Sequence, residues 1–555
     1  MSWVVARTKI APLAALDRRT VLKGGTITAA GALLATPGRA AAAGPVFRHG
    51  VASGDPLPTG VILWTRVTPD DAAIPGSAAG ESVSVRWEIS ADPAFTGVTA
   101  AGSITTGPDA DHTVKIDAAG LSPASDYFYR FSALGQTSVT GRTRTAPAAG
   151  DSPGSLRFGV VSCSNWESGY FGAYRHLAAR DDLDAVVHLG DYLYEYARGK
   201  HAGLMPKVDR QHEPAHEIVS LADYRIRHGQ YKTDADLAAL HARVPFICTW
   251  DDHESANDAW SGGAENHQPG EGDWRARRAA ALQAYLEWMP VRAYGPDARL
   301  YRRLRFGDLA ELSMLDLRTY RDQQLPAVAG WRQVDDPARS ITGQAQMDWL
   351  TGGLVSAPVR WKLVGNPVMI APLLLPPTDA ATAAALNSVI GVPQAGIPVN
   401  ADQWDGYAAD RRKLFDAIVS RNCSDVVFLT GDIHTSWASD LPVNVTAYPA
   451  GPRAGTEFVV PSVTTGSVGE ILQMPARTVS VPLETAIGAI NPHLRYVELD
   501  SHGYGVLSVT AEQAQMDWFY LLDVGDPNTG VRHGVSYAVR SGGGNIERRP
   551  GPITG

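Results

Sequence analysis

Val426-Val427-Phe428-Leu429-Thr430-Gly431-Asp432-Ile433-His434 decides the reading of this chain: a short apolar run stops abruptly at residues able to bind a cation. An apolar run of this length, closed by glycine, predicts a strand buried on both faces. The arrangement recurs four times more. Leu156-Arg157-Phe158-Gly159-Val160-Val161-Ser162 leads to Cys163, and Ala185-Val186-Val187-His188-Leu189-Gly190 leads to Asp191, with Tyr194 three residues on. Val244-Pro245-Phe246-Ile247-Cys248-Thr249-Trp250 leads to Asp251-Asp252-His253-Glu254, and Trp361-Lys362-Leu363-Val364-Gly365 leads to Asn366. In an open α/β sheet, ligands gather beyond the carboxyl ends of the strands, so polar residues at five such ends can meet in one place. One run says little, because every buried strand ends in a polar turn. The ordered series Cys, Asp-x-x-Tyr, Asp-His-Glu, Asn, Asp-x-His says more.

Around these runs, residues 156–555 alternate short apolar stretches with helical patterns, such as Trp274 to Trp288 and Gln344 to Leu350, and predict an α/β domain. Residues 44–145 read differently. Short alternating runs such as Val83-Ser84-Val85-Arg86-Trp87-Glu88-Ile89, with Gly, Pro and Asp between them, predict an antiparallel β-sandwich of fibronectin type III kind, without visible chemistry. Residues 146–155, with Pro147 and Pro153, read as a linker. Pro367 to Asp405 is poor in charge and rich in Pro, Ala and Leu; it reads as a long excursion at the rim of the site.

With 555 residues, 44% of them hydrophobic, the chain can bury an extensive core. Its 49 basic and 58 acidic residues leave a net charge of -9 without a dense Lys/Arg run, which argues against nucleic acid as a primary partner. Residues 1–43 carry Asp17-Arg18-Arg19-Thr20-Val21-Leu22-Lys23, a weakly apolar stretch from Thr26 to Thr36, then Arg39 and Ala40 to Ala43. This resembles a twin-arginine signal peptide with a small-residue cleavage site. The apolar stretch falls short of the roughly 20 residues a bilayer span needs. The expectation is export by the twin-arginine machinery to an extracellular, cell-wall or periplasmic location. Three cysteines, Cys163, Cys248 and Cys423, are too few for a disulfide-stapled scaffold, although one bridge with one free thiol is compatible with the count.

The series Gly190-Asp191-Tyr192-Leu193-Tyr194, Asp252-His253-Glu254, Asn366 and Gly431-Asp432-Ile433-His434 is similar to the motifs of calcineurin-like metallophosphoesterases, G-D-x-x-D or Y, G-N-H-E, a lone ligand and G-H-x-H. The Tyr form resembles purple acid phosphatases. Ser162-Cys163-Ser164-Asn165 stands where the superfamily has D-x-H or D-x-G; Asp252 replaces Asn, Asn366 replaces His, and Asp432 replaces His. With the sandwich ahead of them, these departures resemble the PhoD family of alkaline phosphatases over essentially the whole mature chain. The resemblance implies a two-sheet αββα catalytic domain. Residue by residue, it implies that Cys163, Asp191, Tyr194 and His434 surround one ion and that Asp191, Asp252, Asn366 and Asp432 surround another. Thiolate, phenolate, carboxylate and imidazole suit Fe(III), whereas an all-oxygen set favours Ca2+, or Mg2+ or Mn2+, over Zn2+; Mn2+, Mg2+ or Zn2+ are the alternative ions for the centre as a whole. A further calcium is also implied, without assignable ligands. Asp191 belongs to both sets and would bridge them.

The resemblance implies a phosphoric ester hydrolase, in which two cations about 3.5 to 4 Å apart activate water and clamp an in-line displacement. His253 occupies the position that contacts substrate and helps the leaving group; its alternative is orientation of Asp252 or Asp191. Arg318, in Asp316-Leu317-Arg318-Thr319-Tyr320-Arg321, is a candidate bidentate phosphate clamp, with pairing to Asp316 or a helix end as its alternative. Asn165 is a candidate donor to a phosphate oxygen. His176, His188 and His228 read as packing or surface residues. Two other functions compete: a phospholipase D-like phosphodiesterase acting on lipid head groups, which would contact a lipid surface, and a non-catalytic secreted binding protein.

Overall fold

The computed structural model describes residues 45–201, 208–293, 298–326, 333–375, 397–398 and 400–553. The signal segment expected at 1–43 lies outside them, as does 376–396 of the expected rim excursion. Residues 45–553 belong to one compact unit.

Eight strands come first: β1 (Val51–Leu57), β2 (Gly60–Arg66), β3 (Val83–Ser90), β4 (Ala100–Thr106), β5 (Thr113–Ala119), β6 (Asp126–Ala133), β7 (Gln136–Thr137) and β8 (Gly141–Arg144). β4, β3, β6 and β7 form one antiparallel sheet, with β8 also on β6. Their inward residues Val83, Val85, Ile89, Tyr129 and Phe131 pack with Val51, Val61, Leu63 and Val114 of β1, β2 and β5 in one core. Period-2 burial along β6 is what the alternating sequence asks for. The hydrogen bonding does not stop at the expected linker. β1 pairs in parallel, Gly54 opposite Phe246, with β11 (Phe246–Cys248). A Cβ at Gly54 would stand 2.1 Å from the Pro290 carbonyl oxygen, so only glycine permits this approach. Across the same seam, buried Arg302 holds Asp55 by Nε–Oδ2 (2.8 Å) and Nη2–Oδ1 (2.6 Å) contacts. The β1, β2, β5 layer is therefore also the edge of the large sheet of residues 156–555, which sequence periodicity cannot reveal.

That large sheet continues from β11 through β10 (Ala185–His188) and β9 (Ser155–Val161), all parallel, and then antiparallel through β21 (Gly503–Thr510), β22 (Gln513–Leu521), β23 (Val531–Arg540) and β24 (Glu547–Arg549). A second sheet runs β12 (Arg302–Phe306), β13 (Ala310–Met314), β14 (Trp361–Asn366), β17 (Val426–Thr430), β19 (Arg453–Val459), β18 (Ser436–Pro442), β20 (Leu494–Glu498), with β13, β14, β17 and β19 mutually parallel. Short β15 (Leu374–Leu375) and β16 (Ile397–Pro398) pair with each other. The two large sheets share a core of Phe158, Val160, Leu312, Leu363, Val427, Leu429, Phe458 and Trp518. Helices 172–178, 235–243 and 274–288 cover the outer face of the first, and helices 344–356 and 408–420 the outer face of the second, so four layers stack α, β, β, α. Helix 274–288 starts where Asp273 accepts the Ala276 N–H, and helix 221–232 starts at a Ser220/Asp223 capping box. The five expected runs are β9, β10, β11, β14 and β17, and every residue of β10, β11 and β17 is buried.

Candidate metal centre

At these strand ends the chain turns sharply. Cys163 (φ 61°), Asp191 (54°), Asp432 (65°) and His434 (57°) all hold left-handed backbone conformations. Each costs a non-glycine residue of order 1–3 kcal/mol, a strain that clusters at functional sites. The glycine before Asp191 is required sterically as well: Gly190 has φ 105°, and a Cβ there would stand 2.5 Å from the Asp251 Cβ.

Side-chain donors of Cys163, Asp191 and His434 lie within 4.8 Å of one another, as do those of Asp191, Asp252 and His253, and those of Asp251, Asp252 and Asp432. Asp191 joins the first two groups and Asp252 the last two. The Tyr194 hydroxyl donates to Asp191 Oδ2 (3.0 Å) and stands 3.4 Å from His434 Nε2. Asn366 ends β14 in register with Thr430; its Nδ2 donates to the Val368 carbonyl (2.6 Å) and Thr430 Oγ1 (3.1 Å), and its Oδ1 accepts from Trp404 Nε1 (3.0 Å). An amide oxygen has two acceptor sites, so Oδ1 retains one.

The donor set fits a cation. Asp191 Oδ1 and Asp252 Oδ1 are buried without a hydrogen-bond partner. Burial pushes the Asp191 carboxyl well up; His253 opposes this, while Asp252, Glu254 and Asp432 add to it. Asp432 is raised by burial and by Asp402 against the pull of Arg318, and Asp258 is pushed up to about 7 by burial and the charges of Asp402 and Asp252. Carboxylates so crowded and dry require positive charge. His434 Nδ1 stands 3.2 Å from the Gly466 carbonyl, which fixes the proton on Nδ1 and frees Nε2. Burial, then the charges of His201 and His253, push its pKa down to about 3, so the ring is neutral as a ligand must be.

His253 Nδ1 lies 2.7 Å from Glu195 Oε2. Burial alone would lower the His253 pKa, but Asp252, Glu195 and Asp191 outweigh it and hold the imidazolium well above the usual range. Glu195 is in turn fixed by the Asn257 N–H and Asn266 Nδ2, both at 2.8 Å. Asn165 is fully buried; its Oδ1 accepts the Glu167 N–H (2.9 Å), and its Nδ2 has no partner.

Arg318 departs from expectation. Rather than presenting a free fork to phosphate, its Nε and Nη2 engage both oxygens of Asp251, its Nη1 reaches Asp402 Oδ1 (3.0 Å), and Nη2 lies 3.6 Å from Asp252 and 3.5 Å from Asp432. With acceptors on every side, the guanidinium orients and neutralises carboxylates. Three groups have roles that the sequence does not disclose, although Glu254 stands in a quoted motif. Glu254 accepts the N–H groups of Asp191 (3.1 Å), Tyr192 (2.7 Å) and Asp251 (2.8 Å), binding two strand-end loops together. Asp402 and Gln403, at the end of the expected rim excursion, reach Arg318 and Asp432. Thr465 touches Tyr194. The three thiols are free, so Cys248 and Cys423 are unpaired; His176 Nε2 lies 2.9 Å from the Thr529 carbonyl, and His188 and His228 are buried outside the three donor groups.

Residues 158–518 match the family description "PhoD-like phosphatase", and residues 32–147 match "PhoD-like phosphatase, N-terminal domain". The chain belongs to the PhoD-like phosphatase family. Alkaline phosphatase D of Bacillus subtilis (strain 168) is 36% identical over 501 residues, covering 89% of this chain and 81% of that protein. A solved structure described as "Structure of PhoD" superposes with a TM-score of 0.79 at 33% identity, covering 93% of this chain and 94% of the other. This PhoD-like chain is thus a phosphoric ester hydrolase, and it carries residue groups able to hold metal.

Proposed function

We propose that the strand-end cluster is a mixed two-cation centre that hydrolyses phosphate mono- and diesters. Cys163, Asp191, Tyr194 and His434 would hold iron, and Asp191, Asp252, Asn366 and Asp432 would hold calcium. The observation that carries this reading is Asp191: among the described residues it belongs both to the group with Cys163 and His434 and to the group with Asp252 and His253, and its Oδ1 is buried without a partner. When occupied, such a centre would supply a water ionised near neutral pH and a clamp on the attacking and leaving oxygens of an in-line displacement.

The chain's own residues do the rest. The unpartnered Asn165 Nδ2 donates to a phosphoryl oxygen. The His253 imidazolium, tethered at Nδ1 to Glu195, keeps its second proton on Nε2 for the departing ester oxygen. Arg318 and Glu254 hold the carboxylate loops in place, so no energy is spent reorganising them during the reaction. The segment 1–43 would direct export by the twin-arginine route, and residues 44–145, a fibronectin type III-like sandwich, would act as a rigid buttress tied in by β1. That no helix among the described residues is long and apolar enough to cross a membrane accords with this reading. Initial rates on a phosphomonoester, a simple phosphodiester and phosphatidylcholine test the substrate class. Hydrolysis of the first two supports the proposal, turnover of phosphatidylcholine alone replaces it with a phospholipase D-like activity, and inertness toward all three refutes it.

A further inference from the structure

The segment Ser462-Val463-Thr464-Thr465-Gly466-Ser467 follows β19 and carries none of the expected ligands, yet it touches the site repeatedly. Ser462 bridges in parallel to Ser162, and the Val463 N–H donates to the Ser162 carbonyl (3.0 Å). The Thr464 and Thr465 N–H groups both donate to the Cys163 carbonyl (3.3 Å each), and Thr464 Oγ1 donates to the Asn165 carbonyl (2.7 Å). Gly466 receives His434 Nδ1. At the centre, the Thr465 hydroxyl lies 2.8 Å from the Tyr194 phenol oxygen and 2.9 Å from the Cys163 carbonyl, with no exposed surface. The two ends are tied to each other: Glu470 Oε2 accepts the Ser467 N–H (3.0 Å) and meets His502 Nε2 (3.0 Å), and His502 Nδ1 meets Ser462 Oγ (2.9 Å).

We propose that residues 462–467 form a strap that positions the sulfur, phenol and imidazole ligands of one cation together, and that Thr465 is the positioning residue for Tyr194. This rests on Tyr194 and Cys163 being ligands. Ring rotation leaves a phenol oxygen on its axis, so its position is set by what it touches: Asp191 Oδ2 and His434 Nε2 belong to proposed ligands, and the Thr465 hydroxyl at 2.8 Å is the contact that holds this oxygen from outside the ligand set. Such partners typically contribute 10–100-fold to metal affinity. The strap also explains why three ligands from β9, β10 and β17 keep a common geometry although no covalent neighbour links them.

The test uses the iron-loaded holoenzyme. Thr465→Val keeps the shape and removes the hydroxyl; Thr465→Ser restores it. For Thr465→Val, the visible charge-transfer band should shift and iron retention in chelator competition should fall about 10–100-fold, while Thr465→Ser should keep the wild-type band and retention. Should Thr465→Val not fold, Thr465→Ala, which removes the same hydroxyl without a β-branch, carries the comparison. A wild-type band that none of these variants moves, with unchanged retention, overturns the strap while leaving the ligand assignment intact. A colourless wild-type enzyme overturns both.

Discussion

Replacing Glu254 with glutamine should loosen the site without altering the side chain of any proposed ligand. Its Oε2 accepts the Asp191 and Asp251 N–H groups at 3.1 and 2.8 Å, its Oε1 accepts that of Tyr192 at 2.7 Å, and the side chain is wholly buried. In its better orientation, glutamine keeps an oxygen for the first two and turns an NH2 group against the Tyr192 N–H. That leaves one buried donor unsatisfied, at about 1–3 kcal/mol, and converts two charge-assisted bonds into neutral ones, at about 1 kcal/mol each. Against this stands relief of the buried charge, whose cost is visible in a Glu254 pKa pushed by burial to about 7. The net expectation is a loss of about 2–4 kcal/mol in urea unfolding of the holoenzyme, with metal affinity weakened about 10–100-fold. A variant within about 0.5 kcal/mol of wild type, with unaltered metal content and kcat/KM, would refute the claim that this carboxylate holds the two loops together.

Asp55→Ala strands the Arg302 guanidinium at the seam between β1 and the rest of the large sheet, and should cost about 3–5 kcal/mol in chemical unfolding; a loss below about 1 kcal/mol would mean the seam is held by other contacts. Burial pushes the Lys232 ammonium down to about 7 from 10.5. Across that window the unfolded chain binds the extra proton, so wild-type stability should rise by about 2 kcal/mol between about pH 7 and about pH 9 relative to Lys232→Met; parallel pH dependences in the two proteins would contradict this. Tyr194→Phe should shift or remove part of the visible charge-transfer band of the iron-loaded enzyme, and an unchanged spectrum would take the phenol out of the ligand set.

The site was legible where strand ends carry chemistry. Cys163, Asp191, Asp252, Asp432 and His434 each close an apolar run, and the fold brings them together because the parallel strands of two facing sheets end on the same side. What stayed hidden were partners whose role depends on what surrounds them. Glu195 is one more acid after Tyr194 until His253 is seen 2.7 Å away. Arg318 was visible as a donor, but not the number of carboxylates competing for it. Asp402 offered the best unread signal, one of three acids, with Asp379 and Asp405, in the charge-poor stretch Pro367 to Asp405. Thr465 offered none, because a buried threonine after a strand looks the same whether or not it touches a ligand. The seam at β1 was hidden for a similar reason: alternation marks the buried face of a strand and says nothing of which edge another strand will cover.

Whether Asp191 is shared by two unlike cations, as proposed, is answered by elemental analysis of active wild-type protein beside Asp191→Asn. Iron and calcium should both accompany the wild-type chain, and both should be lost from the variant together with activity. Asp191→Asn that kept both metals and full turnover, or active wild-type protein containing neither, would contradict it.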